Sequence, residues 1–374
     1  METINTLSDL CSGSRKHIYC FGAGKLFDSF MKEFSSVGFE NNIKAIVDNK
    51  ADSIILSEKM INNISIPIIP LNQMLNDIED DDCILITTLM YEEVIEQIKR
   101  IGMLENTPYF IYPIMKIDYY DSDRLKGEIP LKLSTYKDIQ IPKVIHYCWF
   151  GRKEKPLRYK KWMESWKYYC PDYEIVEWNE NNYEVYKNKY IAQAYEMQKW
   201  AFVADYARVD IISQYGGIYL DTDVELIKNI DELLMNDAFC GFESTQFVNY
   251  GLGFGAKKSH PIVDEIKKYY DGIDFIRPNG TLNQITCPMI QTEVMKRYGL
   301  ICNGRFQIVD GMAVYPSRVL CGMSPHSLRV VRDLSRTYAI HHFEGSWTNR
   351  KWKNQLIPAL KRWSKNTDYI YPDA

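Results

Sequence analysis

The segment from residue 191 to residue 223 constrains the fold more than any other part of this chain. Apolar residues recur at helical spacing over residues 191–215, and Gly216-Gly217 ends the pattern, as glycine commonly does at a helix C-terminus. Ile218-Tyr-Leu220 is then a short apolar run typical of a strand, and Asp221-Thr-Asp223 follows it directly. This order predicts a long helix, a short strand and two carboxylates at the end of that strand.

The spacing of the two acids indicates a cation site. In an extended segment, Asp221 and Asp223 point to the same side. Two carboxylates about 4 Å apart repel each other by about 4 kcal/mol at an effective dielectric constant of about 20, unless a cation lies near them. Oxygen ligands suit Mg²⁺ and Mn²⁺, and such an ion also neutralises a pyrophosphate as it leaves a nucleotide sugar. Taken alone, the pattern fits two solvated loop acids better than a metal site.

A second charged pair lies upstream on the same helical pattern. Asp205 and Arg208 are three residues apart, so they share one helix face. One interpretation is a surface ion pair worth a few tenths of a kcal/mol, on the order of 0.3. The other is a functional pair, in which the acid holds sugar hydroxyls and the guanidinium lies beside phosphate or sugar.

With these motifs in place, the chain resembles glycosyltransferase family 32, whose members carry a sugar-binding region containing a DXD motif. Three segments match in the family's order: Ile141–Gly151, residues 199–223 and Tyr338–Trp347. The resemblance covers about residues 141–350 and extends to the core of the clostridial toxin glucosyltransferase domain. The family includes yeast mannosyltransferases and bacterial capsular-polysaccharide transferases.

The resemblance implies a GT-A type, Rossmann-like α/β domain that transfers a hexose from a nucleotide-diphosphate sugar with retention of configuration. It implies Mn²⁺ or Mg²⁺ as the cofactor and a saccharide or lipid-linked oligosaccharide as the acceptor. Capsular or surface polysaccharide synthesis is the expected context. A UDP-sugar is the favoured donor because Trp149 resembles the position that stacks on uracil, and GDP-mannose is the alternative. A non-catalytic scaffold that binds sugar nucleotides is a further alternative.

The resemblance also assigns roles to individual residues. Trp149 is expected to stack on the nucleobase, with backbone contacts from Cys148, and Tyr219 to line the donor site. Asp205 is expected to hold sugar hydroxyls, with Arg208 beside it. Asp223 is expected to ligate the metal directly, whereas Asp221 contacts the ribose or sugar and reaches the metal directly or through water.

A late histidine is expected to complete the metal site. By the family pattern of His, aromatic residue, any residue and Gly, the preferred ligand is His342, and His341 is expected to point to the opposite face of its strand. Glu344 and Ser346 remain alternative ligands. Gly345, Ser346 and Trp347 are expected beside the donor phosphates, where Trp347 either shields the leaving pyrophosphate or packs in the core.

The first 120 residues predict a separate, small Rossmann-like α/β domain. Apolar strand-like runs alternate with helical patterns, and Gly22-Ala-Gly24 follows the first run. Asp48 ends the second run, where an acid can bind a ribose, but the third glycine of the dinucleotide fingerprint is missing. Two interpretations stay open: a nucleotide or nucleotide-sugar module, or a domain that uses its glycines only for a tight turn.

An oxidoreductase or epimerase that uses NAD would need a catalytic Tyr-x-x-x-Lys after this fold. The chain contains that pattern as Tyr183 and Lys187, but in its transferase part.

The patterning of residues 121–140 is that of a linker, so the domains are expected at 1–120 and 141–374.

Charge is divided unequally between these parts. Residues 1–120 carry 10 basic and 18 acidic residues, whereas the rest carries 35 and 31, so its net charge is +4 although the whole chain has −4. The second part is therefore the better partner for an anionic ligand, and general nucleic-acid binding is not expected. The oligomeric state is left open.

The C-terminal residues 349–365 are basic, with apolar residues at helical spacing interrupted by Pro358. Such a segment either lies on an anionic membrane surface or docks as a terminal helix. Neither a secretion signal nor a transmembrane run is recognised, so a cytoplasmic enzyme, peripheral at the inner face of the membrane, is expected.

Overall fold

The computed structural model describes residues 10, 17–34, 39–51, 57–61, 63–104, 106–345, 351–364 and 366–372. Contacts between residues divide the chain into two units. The first unit comprises residues 1–120 with 351–366, and the second comprises residues 121–350 with 367–374. Residues 351–366 thus group with the first unit, although the sequence analysis places them in the second domain.

The first unit is built on a six-stranded sheet in the order β3-β4-β2-β1-β5-β6. Every pairing is parallel except that of the edge strand β3 with β4. Its strands are β1 (Ile18–Phe21), β2 (Ile43–Val47), β3 (Glu58–Ile61), β4 (Ile64–Ile69), β5 (Cys83–Ile86) and β6 (Tyr109–Ile111). Its helices are α1 (Lys25–Phe34), α2 (Leu71–Asp77), α3 (Tyr91–Arg100) and most of α4 (Tyr112–Arg124), with short 3₁₀ turns at Phe39–Asn42 and Gly102–Leu104. The expected small Rossmann-like α/β domain is confirmed.

The glycine turn after β1 is closed by the acid that follows β2. One carboxylate oxygen of Asp48 accepts a hydrogen bond from the Ala23 N–H at 3.2 Å, and the other accepts one from the Lys50 N–H at 2.9 Å. Gly22 has φ +113°, which favours glycine. One oxygen of Asp48 therefore holds the glycine turn, and the other closes the turn that follows Asp48 itself.

The second unit contains a seven-stranded sheet in the order β13-β14-β11-β12-β9-β7-β8. Its strands are β7 (Val144–Cys148), β8 (Glu174–Trp178), β9 (Gly217–Tyr219), β11 (Ala238–Gly241), β12 (Phe254–Ala256), β13 (Gln307–Val309) and β14 (Met312–Tyr315). Two further pairs, β10 (Val224–Leu226) with β16 (Ala339–His341) and β15 (Val330–Val331) with β17 (Tyr369–Ile370), are antiparallel.

The helices of this unit are α5 (Leu157–Tyr169), α6 (Lys189–Glu196), α7 (Trp200–Tyr215), α8 (Asp231–Leu234), α9 (Pro261–Asp271), α10 (Cys287–Lys296) and α11 (Ser317–Leu320), with a 3₁₀ turn at Tyr250–Leu252. Helices α6, α7, α9 and α10 share one apolar core, and α5 contributes Trp166 to a second core. Since β7, β8, β9, β11 and β14 are mutually parallel, their carboxyl ends meet at one edge of the sheet. The predicted GT-A type, Rossmann-like α/β architecture is confirmed.

The single long helix expected over residues 191–215 is two helices, α6 and α7. They are separated at Gln198, whose φ of 54° lies in the left-handed region. The amide of Lys199 bonds the Ala194 carbonyl at 2.9 Å, which closes α6. Neither glycine nor proline marks this break, so the apolar periodicity runs through it unchanged.

Residues 121–140, which the sequence indicates as a linker, are held by side chains of the second unit. Helix α4 continues to Arg124, and the fully buried Asp121 accepts hydrogen bonds from Ser324 and Ser327 and pairs with Arg329 at 2.8 Å. Further along, the Leu133 amide donates to Glu232 at 2.8 Å. The segment lacks regular structure beyond α4 but is anchored along its length.

The basic C-terminal segment forms one helix, α12 (Lys351–Trp363), which continues through Pro358. Leu360 and Trp363 are buried, and the Trp363 indole donates to Glu92 at 3.2 Å. This side of α12 is therefore covered by the first unit. Within the residues that the structure describes, no helix combines the length and apolar character needed to cross a membrane.

A buried histidine on β7 makes the second unit sensitive to acid. His146 is 4% exposed; its Nδ1 accepts from the Trp178 indole at 3.0 Å, so its Nε2–H donates to the Gly216 carbonyl at 3.1 Å. Both ring nitrogens are satisfied only in the neutral form, since a proton on Nδ1 would face the indole N–H. Burial lowers the pKa of His146 from 6.5 to about 4.

We expect this histidine to steepen the loss of stability at low pH. Its contribution is complete above pH 6.5, where both folded and unfolded states are neutral, and falls as pH falls toward 4 because only the unfolded state takes up the proton. Between pH 7.5 and pH 5 the free energy of unfolding should fall by about 2 kcal/mol more than in His146→Gln. Urea titrations at both pH values measure the difference; equal pH slopes would contradict the assignment.

Candidate active site

The two acids of the DXD motif lie in a turn at the carboxyl edge of the second unit's sheet. β9 ends at Tyr219, and the turn from Asp221 to Asp223 leads into β10, closed by the Val224 amide bonding the Asp221 carbonyl at 3.0 Å. The side chain of Asp221 is 25% exposed, and that of Asp223 is 12% exposed. Two carboxylates are thus brought together at a largely enclosed position.

His341 is the third member of this cluster. It ends β16 and stands opposite Val224 in the antiparallel pair with β10. Its Nε2 lies 3.3 Å from Oδ1 of Asp223 and 3.9 Å from Oδ2 of Asp221. One ligand atom from each of the three residues lies within 4.8 Å of the others.

His342, the histidine preferred from the sequence, is directed elsewhere. Its ring stacks on Trp162 of α5 with centroids 4.1 Å apart, and its Nε2 lies 2.9 Å from Glu225 Oε2. Neighbouring side chains alternate along an extended chain, so only one of two adjacent histidines can face the aspartates. The expectation that His342 faces the aspartates and His341 faces away is therefore wrong, since the two side chains have the opposite orientations.

The charges of the cluster are interdependent. Burial disfavours a charged imidazole, but Asp223 and Asp221 raise the pKa of His341 above its usual value. Burial likewise opposes ionisation of Asp221, but Arg208 and His341 lower its pKa overall. The carboxylate of Asp221 is therefore held in its ionised form.

The three side chains fit a small divalent cation. Atoms that ligate one Mg²⁺ or Mn²⁺ at about 2.1 Å stand about 3–4 Å from each other, and the measured separations of 3.3 and 3.9 Å agree. Two carboxylates suit Mg²⁺ and Mn²⁺, and the imidazole favours the transition metal of the two. Asp221, Asp223 and His341 are thus the residues that could hold the ion.

Asp205 and Arg208 are buried on α7 and adjoin the acidic turn. Nη2 of Arg208 lies 3.0 Å from Asp205 Oδ1 and 3.1 Å from Asp221 Oδ1, and its guanidinium sits 5.1 Å from the ring centre of Tyr219. Burial raises the pKa of Asp205 to about 6, although Arg208 acts in the opposite direction. The pair is therefore part of the site, and the surface ion pair considered from the sequence is excluded.

Three residues beside this cluster were not assigned from the sequence: Gly251, Asn249 and Cys287. A Cβ on Gly251 would lie 2.5 Å from Asp221 Oδ2, so any residue other than glycine would displace that carboxylate. Asn249 accepts from the Gly251 amide at 2.7 Å, and Cys287 Sγ lies 3.6 Å from Arg208 Nη1. The glycines at positions 251, 253 and 255 are the local sequence signal of a close approach to this segment.

The nucleobase side of the expected site lies where β7 ends. Trp149 is partly exposed, its indole donates to the Lys153 carbonyl at 2.5 Å, and Tyr159 meets it edge-on at 5.6 Å. Cys148 and Tyr219 are buried, and they belong to a different apolar core from the one that Trp149 packs against. An indole held by its N–H with part of its surface exposed suits ring stacking.

The chain after β16 encloses Asp223. The His342 amide donates to the Asp223 carbonyl at 2.9 Å, and the Glu344 amide donates to Asp223 Oδ2 at 2.8 Å. Glu344 also pairs with Arg158 at 2.5 Å, so its carboxylate is directed to α5. Gly345 has φ +43°. Ser346 and Trp347 lie outside the described residues.

The Tyr-x-x-x-Lys pattern is used within the second unit's core. The Tyr183 hydroxyl donates to Asp210 at 2.7 Å, and Lys187 forms an ion pair with the same buried carboxylate. The glycine turn at Gly22 belongs to the first unit. The glycine turn and the Tyr-x-x-x-Lys pattern, which an NAD-dependent enzyme would use together, thus have separate structural roles in this chain.

Comparison with known proteins agrees with the geometry at the level of the protein class. Residues 156–240 match the family model described as "Glycosyltransferase sugar-binding region containing DXD motif". Among curated relatives, a mannosyl phosphorylinositol ceramide synthase of Saccharomyces cerevisiae is 31% identical over 165 residues, 42% of each chain. An inositol phosphoceramide mannosyltransferase of Schizosaccharomyces pombe is 29% identical, over 39% of this chain and 42% of that protein.

Among solved structures, the PaToxG glycosyltransferase aligns with a TM-score of 0.36 and 15% identity, over 49% of this chain and 76% of that chain. The chain spans less than half the length of the two curated relatives. The family match over residues 156–240 confirms the DXD glycosyltransferase resemblance for the region around the motif. The two curated relatives are fungal enzymes, and neither name refers to capsule synthesis.

Proposed function

We propose that the second unit is a metal-dependent glycosyltransferase that moves a hexose from a nucleotide-diphosphate sugar to a saccharide or lipid-linked acceptor. One observation carries the proposal. Asp221, Asp223 and His341 gather within 4.8 Å of one another at the carboxyl edge of the sheet, beside the buried Asp205–Arg208 pair. The family match over residues 156–240 contains four of these five residues.

Each part of the cluster has a chemical task. A divalent cation held by the two aspartates and His341 would neutralise charge on the departing diphosphate. Arg208 holds Asp221 in place and offsets the charge of Asp205, which is buried and can orient sugar hydroxyls. Trp149 offers its exposed surface to the nucleobase.

Transfer at this site needs no covalent intermediate. The acceptor oxygen forms a bond to the anomeric carbon as the bond from that carbon to the phosphate oxygen breaks. The nucleoside diphosphate leaves with the electron pair, and a phosphate oxygen takes the acceptor proton. Attack from the side on which the diphosphate departs retains the configuration at the anomeric carbon.

GDP-mannose and a UDP-sugar are the two candidate donors. The names of the fungal relatives favour mannose, and thus the GDP-mannose alternative. The position of Trp149 favours a UDP-sugar by the family resemblance. The relatives' names also favour a lipid that carries an inositol phosphate as acceptor, whereas a capsular acceptor rests on the resemblance alone.

The test is release of nucleotide from a panel of UDP- and GDP-sugars with Mn²⁺, compared with an EDTA-treated sample. We expect release from one donor, and loss of that release with the chelator. His341→Gln and His342→Gln form a matched pair: the first should raise the Mn²⁺ concentration for half-maximal release at least about tenfold, and the second should stay near the unaltered protein.

A larger effect of His342→Gln than of His341→Gln would contradict the proposed ligand set. If no donor is consumed, thermal shift with UDP or GDP and Mn²⁺ separates a strict requirement for acceptor from an inactive protein. Absence of both release and metal-dependent stabilisation would reject the transferase proposal.

A further inference from the structure

Helix α5 carries an outward face that the candidate site does not use. Leu157, Lys161, Glu164 and Tyr168 follow one another at intervals of four, three and four residues, so they form one stripe along the helix. Leu157 is 82% exposed and Tyr168 is 77% exposed. The stripe therefore presents two large apolar side chains to solvent, with a lysine and a glutamate between them.

The surroundings of this stripe are strongly basic. Residues 152–168 contain seven basic and two acidic residues, a net charge of +5 in a chain whose overall charge is −4. Lys160 and Arg158 have acidic partners at 2.7 and 2.5 Å. Across the described part of the chain, no carboxylate lies within ion-pair distance of Lys161 or Lys167, so their charge is available to a partner.

The opposite side of the same helix adjoins the candidate site. Arg158 pairs with Glu344, and Trp162 stacks on His342. The backbone amides of Glu344 and His342 both donate hydrogen bonds to Asp223. The indole of Trp166 donates to the Val224 carbonyl at 2.8 Å. The outward stripe and the site are thus separated by the width of one helix, about 10 Å.

We propose that the outward face of α5, with Leu157 and Tyr168 flanked by Lys160, Lys161 and Lys167, docks on an anionic lipid surface. Basic residues around apolar and aromatic side chains are the combination that holds a helix in the plane of a membrane interface. The exposed leucine distinguishes this face from one for a purely polyanionic partner, which gains nothing from an apolar contact. The docking does not depend on glycosyl transfer, but it would present a lipid-linked acceptor beside the site.

The test is sedimentation of the full chain with vesicles of phosphatidylcholine alone or mixed with phosphatidylglycerol. We expect binding only to the mixed vesicles. Lys161→Gln combined with Lys167→Gln should weaken it roughly 25-fold, since each lysine at an anionic surface contributes about fivefold. Lys268→Gln with Lys296→Gln is the matched control, because both are exposed helix lysines in elements that pack on the other apolar core.

A third variant, Leu157→Gln, separates lipid from other anions and should weaken vesicle binding several-fold. Absence of binding to mixed vesicles would overturn the proposal, as would equal losses in the control pair. Salt-sensitive binding that Leu157→Gln leaves unchanged would also overturn it, in favour of a polyanion. Donor hydrolysis measured without vesicles reports on the transferase proposal separately, and the lysine variants should leave it unchanged.

Discussion

Asp223→Asn is expected to lower the rate of sugar transfer by about 10³-fold, the scale of losing one preorganised charge at a reacting centre. The asparagine keeps the size of the side chain, and its one oxygen can still accept from the Glu344 amide at the place of Asp223 Oδ2, which lies 2.8 Å from that amide. It removes the negative charge that faces His341 at 3.3 Å and that a cation would need. The effect should therefore appear in the rate with little loss of stability.

The measurement is the initial rate of nucleotide release at saturating donor and Mn²⁺, with thermal unfolding recorded on the same samples. Asp237→Asn is the control, because Asp237 precedes β11 at the opposite edge of the sheet, where it pairs with Lys257 at 2.8 Å. A rate within about tenfold of the unaltered protein would refute a charge-based role for Asp223.

Arg208→Met is expected to destabilise the second unit by about 3–5 kcal/mol, the usual effect of leaving a buried charge without its partner. The guanidinium is 4% exposed and faces two carboxylates, Asp205 at 3.0 Å and Asp221 at 3.1 Å. Methionine fills much of the same volume but neutralises neither acid. Burial raises the pKa of Asp205 to about 6 even though Arg208 lowers it. Removing Arg208 should therefore raise this pKa further and favour the protonated form of Asp205.

Urea-induced unfolding measures this effect, and a double variant tests its cause. Asp205→Asn in the Arg208→Met background should recover part of the loss, because it removes one of the two stranded charges. Arg158→Met is the matched control: it breaks an arginine–glutamate pair of which the arginine is 57% exposed, so it should change stability by less than about 1 kcal/mol. If Arg208→Met lowers the free energy of unfolding by less than about 1 kcal/mol, the ion pairs of Arg208 with Asp205 and Asp221 do not stabilise the fold.

The chemistry of the site was predictable because it is concentrated in one continuous stretch. Residues 205–223 contain Asp205, Arg208, Asp221 and Asp223, and the strand and helix patterns around them are strong. The spacing of three on a helix and of two in an extended segment fixes which side chains share a face. The structure brings these four residues together: Asp205 and Arg208 share one face of α7, as their spacing predicts, whereas Asp221 and Asp223 lie in a turn rather than in an extended segment.

The choice of histidine was not predictable in the same way. His341 and His342 are adjacent, so the alternation rule states only that they face opposite sides. Which side faces the aspartates depends on the register of β16 with β10, where His341 is opposite Val224. That register is a long-range contact between residues more than a hundred positions apart, and it leaves no local signal.

The break between α6 and α7 and the anchoring of residues 121–140 escaped prediction for related reasons. Gln198 adopts a left-handed conformation without a glycine or asparagine to announce it. In the sequence Asp121 is one acid among several in a polar stretch, but Ser324, Ser327 and Arg329 give it buried partners. Partners some two hundred residues away cannot be inferred from local composition.

The path of the chain through its two units has a consequence for inheritance. The chain passes from the first unit to the second after residue 120, returns at residue 351 and passes back after residue 366. Strand β17 then pairs with β15 of the second unit. No single crossover between two genes can exchange one complete unit and leave the other intact, because each unit is encoded in two separated pieces. Any recombinant made by one crossover would therefore contain at least one unit assembled from two parents, whose buried side chains were not selected together.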